Sequence, residues 1–287
     1  MKFDTVLVDA DSLLYSVGFA TQKNIYKVWV QGHQGDPSFV CTDKRWLNRI
    51  LKDQDYELHK YLFVQPFFSA STTIDKIIEA YKKKFKTKNI RIYFTGKDNF
   101  RDNVATIQPY KGNRDSSNKP EHYEAIKAYM VRKHNGLIID GQEADDEVSI
   151  QQTLSDQGKS VIVSIDKDLM MVEGYHYNPN KDALTKVTKL EGLRWFYEQL
   201  LQGDSTDNIP GIKGIGKVTA KKLLENCTDV QELESVVMRN YMDYYREDAE
   251  KYIVEVGQLL WMRLQYNQMW YPEFMGGCKI ESNNSRK

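Results

Sequence analysis

Cysteine is scarce and scattered: Cys41, Cys227 and Cys278 are the only three in 287 residues. None has a neighbour at zinc-ligand spacing, and the usage fits a reducing cytoplasm. Net charge is also missing, because 40 Lys and Arg face 40 Asp and Glu. No global field therefore announces a nucleic-acid partner, although an acidic cluster can cancel basic surfaces elsewhere. No charged-then-apolar signal segment opens the sequence, and no apolar run approaches the roughly 20 residues of a membrane span. Internal repeats and low-complexity linkers are absent. A soluble, cytoplasmic protein, outside any membrane, is expected.

What is present is an ordinary globular composition, 41% hydrophobic and 28% charged, long enough for one large or two modest domains. Thr5–Val8 is a short β-branched run ending in Asp9, and a helix through Leu13, Leu14 and Val17 follows. Ile25 to Cys41 reads as a hairpin, with Tyr26, Val28 and Val30 alternating before a turn at Gly32–Asp36. Ile74 to Phe85 has helical spacing, and its lysine-rich end suits the C-terminal dipole. Ile90–Phe94, Leu137–Ile139 and Val161–Val163 read as buried strands, with helices over Glu121–His134 and from Glu143 between them. Alternating strands and helices predict an α/β fold, a mainly parallel central sheet flanked by helices. From about residue 190 the sequence turns helical, with a long amphipathic stretch from 241 to 266 in which Trp261, Met262, Leu264 and Tyr266 are expected in the core. The polar end from Gly276 to Lys287 is expected to be mobile.

Acids punctuate this pattern at Asp9, at Glu143-Ala-Asp145-Asp146, at Asp166-Lys-Asp168 and at Asp204-Ser-Thr-Asp207. Each cluster follows an apolar run or opens a helix. In an open parallel sheet, ligands bind beyond the carboxyl ends of the strands, where sequence-distant acids can meet. Crowded carboxylates repel one another unless cations neutralise them, and hard oxygen ligands suit Mg²⁺ or Mn²⁺. A single Asp at such a place caps a helix just as readily. Four clusters at equivalent topological positions argue instead for metal-assisted phosphoryl chemistry.

Five motifs occur in order: Val8-Asp9, Tyr110-Lys-Gly-Asn-Arg114, Glu143-Ala-Asp-Asp146, Ser164-Ile-Asp-Lys-Asp168 and the run from Gly203 to Gly216. As an ordered set spanning roughly residues 3 to 225, they resemble the 5′–3′ exonuclease and flap endonuclease family. That family includes the 5′-nuclease domain of DNA polymerase I, and the sequence is most similar to its stand-alone bacteriophage members. The resemblance implies a PIN-like nuclease core over 1–190, with a short helical arch at about 110–136, and a helical DNA-binding region over 191–287. It implies two divalent ions, Mg²⁺ or Mn²⁺. Asp9, Glu143, Asp145, Asp146 and Asp166 would hold or orient the first; Asp168, Asp204 and Asp207 would serve the second, with Asp166 close enough to be shared. One departure stands out: Gly96 occupies a position where the family carries an Asp. Either Asp98 substitutes from two residues on, or the first ion is held more loosely.

The resemblance gives Lys111 and Arg114 the catalytic cation roles, offering fixed positive charge to the scissile phosphate. Tyr110 could stack on a base, and Lys119 in the arch would meet a single-stranded 5′ end. Only 28 positions separate Arg114 from Glu143, so a clamp or partial gateway is expected rather than a large closed hole. Gly211-Ile-Lys-Gly214-Ile-Gly216-Lys217 superficially matches a nucleotide-binding P-loop, but Val218 stands where Ser or Thr is required. It is similar instead to the hairpin of a helix–three-turn–helix. There Gly211, Gly214 and Gly216 let backbone approach phosphate, Lys213, Lys217 and Lys221 add sequence-independent charge, and the resemblance allows a K⁺ ion.

The expected activity is structure-selective hydrolysis of DNA at 5′ ends, flaps or nicks by a monomer, extending to RNA of RNA–DNA hybrids, in replication or recombination. If bacteriophage-encoded, the protein would work in the host cytoplasm. Two alternatives remain open: a non-catalytic protein that binds branched DNA, and a PIN-like ribonuclease, which would not need the glycine hairpin.

Overall fold

The computed structural model describes residues 1–31, 34–52, 54–114, 118–156 and 158–281. In chain order the first elements are β1 (Thr5–Asp9), α1 (Asp11–Ala20), β2 (Gln22–Val30), β3 (Phe39–Cys41), α2 (Lys44–Ile50) and β4 (Tyr56–Val64). Next come α3 (Phe67–Phe85), β5 (Ile90–Thr95), α4 (Phe100–Val104), α5 (Tyr123–His134), β6 (Leu137–Ile139) and α6 (Ala144–Leu154). Then follow β7 (Ser160–Val163), β8 (Gly174–Asn178), β9 (Ala183–Val187), α7 (Lys189–Gln202), α8 (Lys217–Leu224), α9 (Val230–Tyr245) and α10 (Ala249–Leu260).

Two compact units divide the chain. The first comprises residues 1–12, 78–117 and 131–287, and the second 13–77 and 118–130. In the first unit, six strands form one sheet in the order β6-β5-β1-β7-β8-β9. All neighbours are parallel except β8 and β9. β1 is central and apolar on both faces, with Val6, Leu7 and Val8 all buried, as a strand covered on both sides requires. The chain runs from β5 to β6 on one side of β1 and to β7 and β8 on the other. The strand order therefore reverses at β1, and the crevice at its carboxyl end is where ligands bind in open α/β sheets. The helices α7, α9 and α10 pack with α6 around Phe196, Leu200, Val237, Ile253 and Val256, all fully buried. This architecture, a mostly parallel sheet flanked by helices with a helical C-terminal region, is the expected one.

The second unit carries a three-stranded antiparallel sheet, β3-β2-β4. Tyr26 and Val28 on one face of β2 pack on Leu47 and Leu51. The expected hairpin alternation is therefore present, while Gly32 and His33 of its turn lie outside the described residues.

Several boundaries differ from expectation. α3 begins at Phe67, seven residues before Ile74, because Ala70 and Ser71 extend its buried stripe. The β8–β9 hairpin has no counterpart in the sequence reading; its short strands carry mixed polar residues. The stretch from 241 to 266 is not one helix. α9 stops at Tyr245, where Arg246 takes a φ of 55°, a left-handed conformation that ends helical continuity. α10 then stops before an extended Trp261. Trp261 and Met262 are buried as expected, but Tyr266 is half exposed. Of the polar end, residues 282–287 lie outside the described set.

Candidate active site

Asp9 ends β1 at the point where the strand order reverses, and its carboxylate ties the central strands together. It accepts from Ser164 Oγ beyond β7 at 2.9 Å and from the Asp11 amide at 3.3 Å. Burial, with the Asp11 carboxylate second, pushes Asp9 up to about 7. Asp11 in turn accepts the Thr95 amide at the end of β5, at 3.2 Å. The Asp166 amide donates to Ser164 Oγ at 2.9 Å, and the Asp168 amide to Asp166 Oδ1 at 2.8 Å. One serine thus links two of the predicted acids.

Asp168 and Asp204 meet through Lys167. Its ammonium lies 3.2 Å from Asp168 Oδ1 and 2.7 Å from Asp204 Oδ2. Gln199 Nε2 also donates to Asp168. Burial and the nearby Asp166 raise Asp168 to about 6. Burial would raise Asp204 too, but Lys167 and the backbone amides of Thr206 and Asp207 together outweigh it, and Asp204 falls below its ordinary value. Asp204 and Ile209 exchange two backbone hydrogen bonds, closing the loop that carries Asp207. Gly203 and Gly211 make this closure feasible: a Cβ on Gly203 would stand 2.4 Å from the Gly211 nitrogen. Gly211 therefore has a packing role.

Glu143 and Asp207 meet around the Tyr110–Arg114 segment. Tyr110 OH donates to Glu143 at 2.8 Å and to Asp207 at 3.1 Å. Lys111 Nζ donates to Glu143 and lies 3.7 Å from Asp207, which also accepts from Arg114. Lys111 has a φ of 53°, and its amide donates to the Asp207 carbonyl at 2.8 Å. Burial opposes ionisation of Glu143, yet Arg101 and Lys111 outweigh it and hold its pKa down. Asp145, half-buried beside Glu143, goes the other way: desolvation, with the Glu143 carboxylate second, raises it well above its ordinary value.

Asp146 does not join this patch. It is fully buried, and Arg101 grips it bidentately at 2.5 and 3.0 Å. Arg101 also donates to the Leu259 and Trp261 carbonyls, at 2.8 Å each. Glu143 and Asp146, three residues apart, do lie on one side of the helix start: Glu143 is the N-cap of α6, Asp146 accepts the Glu143 amide at 3.3 Å, and Arg101 lies 3.6 Å from Glu143 while gripping Asp146, but only Glu143 also reaches Tyr110 and Lys111. Asp146 orients Glu143 and anchors α6.

Asp98 is not brought into contact either. It is exposed, has a φ of 61°, and its carboxylate makes no hydrogen bond or ion pair among the described residues. Gly96 has no room for a side chain, since a Cβ there would stand 2.1 Å from Asp140 Oδ1 and 2.7 Å from the Ile139 carbonyl. Lys119 belongs to the second unit, where its ammonium sits 4.5 Å over Tyr123. Of the hairpin residues, Lys213, Gly214, Gly216, Lys217 and Lys221 are exposed. Gly214 needs its φ of 91°, and Gly216 caps α8 without a side chain, leaving the first amides of that helix open. Residues 115–117 of the expected arch lie outside the described residues.

Sequence reasoning passed over Asp11, Arg101, Lys167 and Asp140. Asp11 was legible two residues after Asp9, and Lys167 stood between two acids already singled out.

The donor set fits a hard divalent ion. It is all oxygen, and three of its acids are held above their ordinary range by burial and one another, an excess of negative charge that a cation would relieve. Among the described residues, no three His, Cys, Asp or Glu side chains converge as a ligand set; ammonium groups of Lys111 and Lys167 stand between the acids instead. Mg²⁺ needs only one or two direct carboxylates because it retains several waters.

No protein-family model matches the chain. A 5′–3′ exonuclease of Buchnera aphidicola subsp. Schizaphis graminum is 30% identical over 176 residues, 56% of this chain and 60% of that protein. An exodeoxyribonuclease of Enterobacteria phage T3 is 29% identical over 170 residues, 56% of this chain and 55% of that protein. A flap endonuclease Xni of Shewanella baltica is 30% identical over 122 residues, 39% of this chain and 47% of that protein. The chain thus spans about 60% of the length of the Buchnera exonuclease and less of the other two. Among solved structures, the T5 D15 protein co-crystallised with metal ions matches 90% of this chain and 95% of its own, with a TM-score of 0.50 at 17% identity. At that identity the likeness is one of fold.

Proposed function

We propose that the chain is a divalent-metal-dependent, structure-selective 5′ nuclease acting on DNA, in keeping with its similarity to 5′–3′ exonucleases and flap endonucleases. The observation that carries this reading is the meeting of Glu143, Asp207, Lys111, Arg114 and Tyr110 in one patch, drawn from motifs nearly 100 residues apart. Acids alone could cap helices; acids interleaved with cations on a loop fit a phosphodiester.

Asp9, Glu143, Asp145 and Asp166 would hold one Mg²⁺ or Mn²⁺, and Asp168, Asp204 and Asp207 a second. When bound, such ions polarise the phosphoryl group and lower the pKa of water. Lys111 and Arg114, which neutralise Glu143 and Asp207 in the free protein, turn to the phosphate oxygens as charge develops there. Tyr110 holds the two acids in register. Asp146, locked by Arg101, keeps Glu143 aimed outward. The exposed lysines around the glycine hairpin and the open amides of α8 bind duplex phosphates without sequence preference, with a K⁺ ion at the turn. The division of labour is a nuclease core over 1–190 and a DNA-binding region over 191–287, working as a monomer. RNA in RNA–DNA hybrids is a further substrate.

The test is cleavage of 5′-labelled flap, nicked and single-stranded DNA in Mg²⁺ or EDTA. Cutting that needs Mg²⁺ is expected, with Asp168→Ala severely slowed yet still binding DNA. Tight binding of branched DNA without cutting would favour a scaffold. Cutting of RNA alone would favour a PIN-like ribonuclease.

A further inference from the structure

The three-stranded sheet of the second unit is covered on one face, and there only behind β2. Tyr26 and Val28 of β2 pack on Leu47 and Leu51, whereas every residue of β4 from Tyr56 to Phe63 is exposed. Cross-strand partners share a face, so the register Lys23↔Phe63, Ile25↔Tyr61, Lys27↔His59 and Trp29↔Glu57 defines the open side.

That side carries a row of rings interleaved with cations. The Trp29 and His59 rings meet edge to face at 5.2 Å, and His59 and Tyr61 lie nearly parallel at 6.4 Å. Lys27 Nζ sits 5.0 Å from the Tyr61 centroid, and Lys23 Nζ 5.6 Å from that of Phe63. Tyr61 and Phe63 are 46% and 44% exposed, a large investment of aromatic surface left in water. Glu57, paired with His59 at 2.5 Å, is the one acid among these four cross-strand pairs.

We propose that this face is a docking platform for single-stranded nucleic acid, separate from the site that cuts. Three features select that occupant. Rings at alternate strand positions recur about every 7 Å and offer flat faces on which unpaired bases stack, independently of base identity. Lysines poised over those rings can swing out to the phosphates between the bases, exchanging one π contact for a charge contact. Protein–protein interface cores, by contrast, are depleted in lysine. Duplex DNA keeps its base faces stacked inside and cannot use the rings. A platform of this kind would hold the unpaired strand of a flapped or gapped substrate.

The test uses the full chain in EDTA, which separates binding from cutting, with fluorescent oligo(dT), oligo(U) and a blunt duplex followed by anisotropy. Tyr61→Ala/Phe63→Ala should weaken oligo(dT) binding about tenfold for each ring removed, with duplex affinity unchanged. Tyr61→Phe, which keeps the ring, should bind like the parent. Lys23→Gln/Lys27→Gln should flatten the slope of log K against log salt by about 1.4, two phosphate contacts at about 0.7 each. The oligo(U) arm reports whether the platform tells RNA from DNA. Unchanged oligo(dT) affinity in the double ring variant overturns the proposal, and so does an equal loss on duplex. Sedimentation showing a parent dimer that the ring variant dissolves would assign the face to a second copy through the edge of β4 and overturn it too. A chain that bound oligo(dT) through these rings but never cut DNA would leave this inference standing and remove the nuclease reading.

Discussion

Asp9→Asn should make the metal-free protein more stable at alkaline pH while removing cleavage. Asp9 is only 9% exposed, and burial with Asp11 raises its carboxyl from 3.8 to about 7. The folded chain therefore holds this proton to higher pH than the unfolded chain does. Stability from this group is greatest below about pH 4, falls as pH rises towards 7, and is flat beyond it. The gap between 3.8 and about 7 corresponds to about 4 kcal/mol at pH 8. In a chain of this length that is a melting shift on the order of 8 °C. Asparagine removes the charge and keeps the contacts: its Oδ1 can accept the Asp11 amide and its amide can donate to Ser164 Oγ.

Thermal melts of parent and variant in EDTA, from pH 5 to 8.5, measure the effect. The parent should lose stability across this range and the variant less, keeping only the part that Asp145 and Asp168 contribute, so the two curves cross or converge at the acid end. Millimolar Mg²⁺ at pH 8 should restore the parent and leave Asp9→Asn where it was. Parallel pH profiles, or a variant less stable than the parent at pH 8, would refute the argument that repulsion and burial dominate at the end of β1.

Arg101→Met strands the fully buried Asp146 carboxylate and should cost about 3–5 kcal/mol in urea denaturation; adding Asp146→Leu should recover much of the loss. Lys111→Ala should lower kcat by about 10²–10³, with DNA affinity in EDTA nearly unchanged, as single-turnover and binding assays can separate. Gly96→Asp should not supply the carboxylate that the family pattern has there: its Cβ would stand 2.1 Å from Asp140 Oδ1, so a loss of about 1–3 kcal/mol and no gain in Mg²⁺ affinity by calorimetry are expected.

The parallel sheet was legible because its strands are buried on both faces and read as uninterrupted apolar runs, Val6–Val8 and Val161–Val163 above all. β4 and the β8–β9 hairpin escaped because strands that are exposed or half-exposed and carry mixed side chains show no such run. The acids were legible as clusters, but their division was not. Asp145 and Asp146 are adjacent and chemically alike, and only the Arg101 guanidinium, 45 residues upstream of Asp146, decides which of them turns inward. Helix periodicity places Asp146 with Glu143, and Arg101 touches both; what the spacing does not show is that only Glu143 also reaches Tyr110 and Lys111. Lys167 illustrates the same limit, since a lysine between two acids reads as a spacer until Asp204 arrives from another motif.

The carboxylate missing at Gly96 is better understood as a matter of topology than of loss. β5 and β6 are neighbours in register, with Thr95 opposite Ile139, so the residues that follow them leave the sheet side by side. Gly96 donates to the Ile139 carbonyl at 2.7 Å, and the Lys97 amide donates to Asp140 Oδ1 at 2.8 Å. A side chain at 96 and the carboxylate of Asp140 compete for one volume, and this chain fills it from β6. On the other flank, Asp11 reaches the end of β5 through the Thr95 amide. The carboxyl ends of β5 and β6 are therefore met by two acids, neither of which sits at the position that sequence alignment would inspect. In the proposed metal centre, negative charge at that end of the sheet would have to come from residues other than position 96.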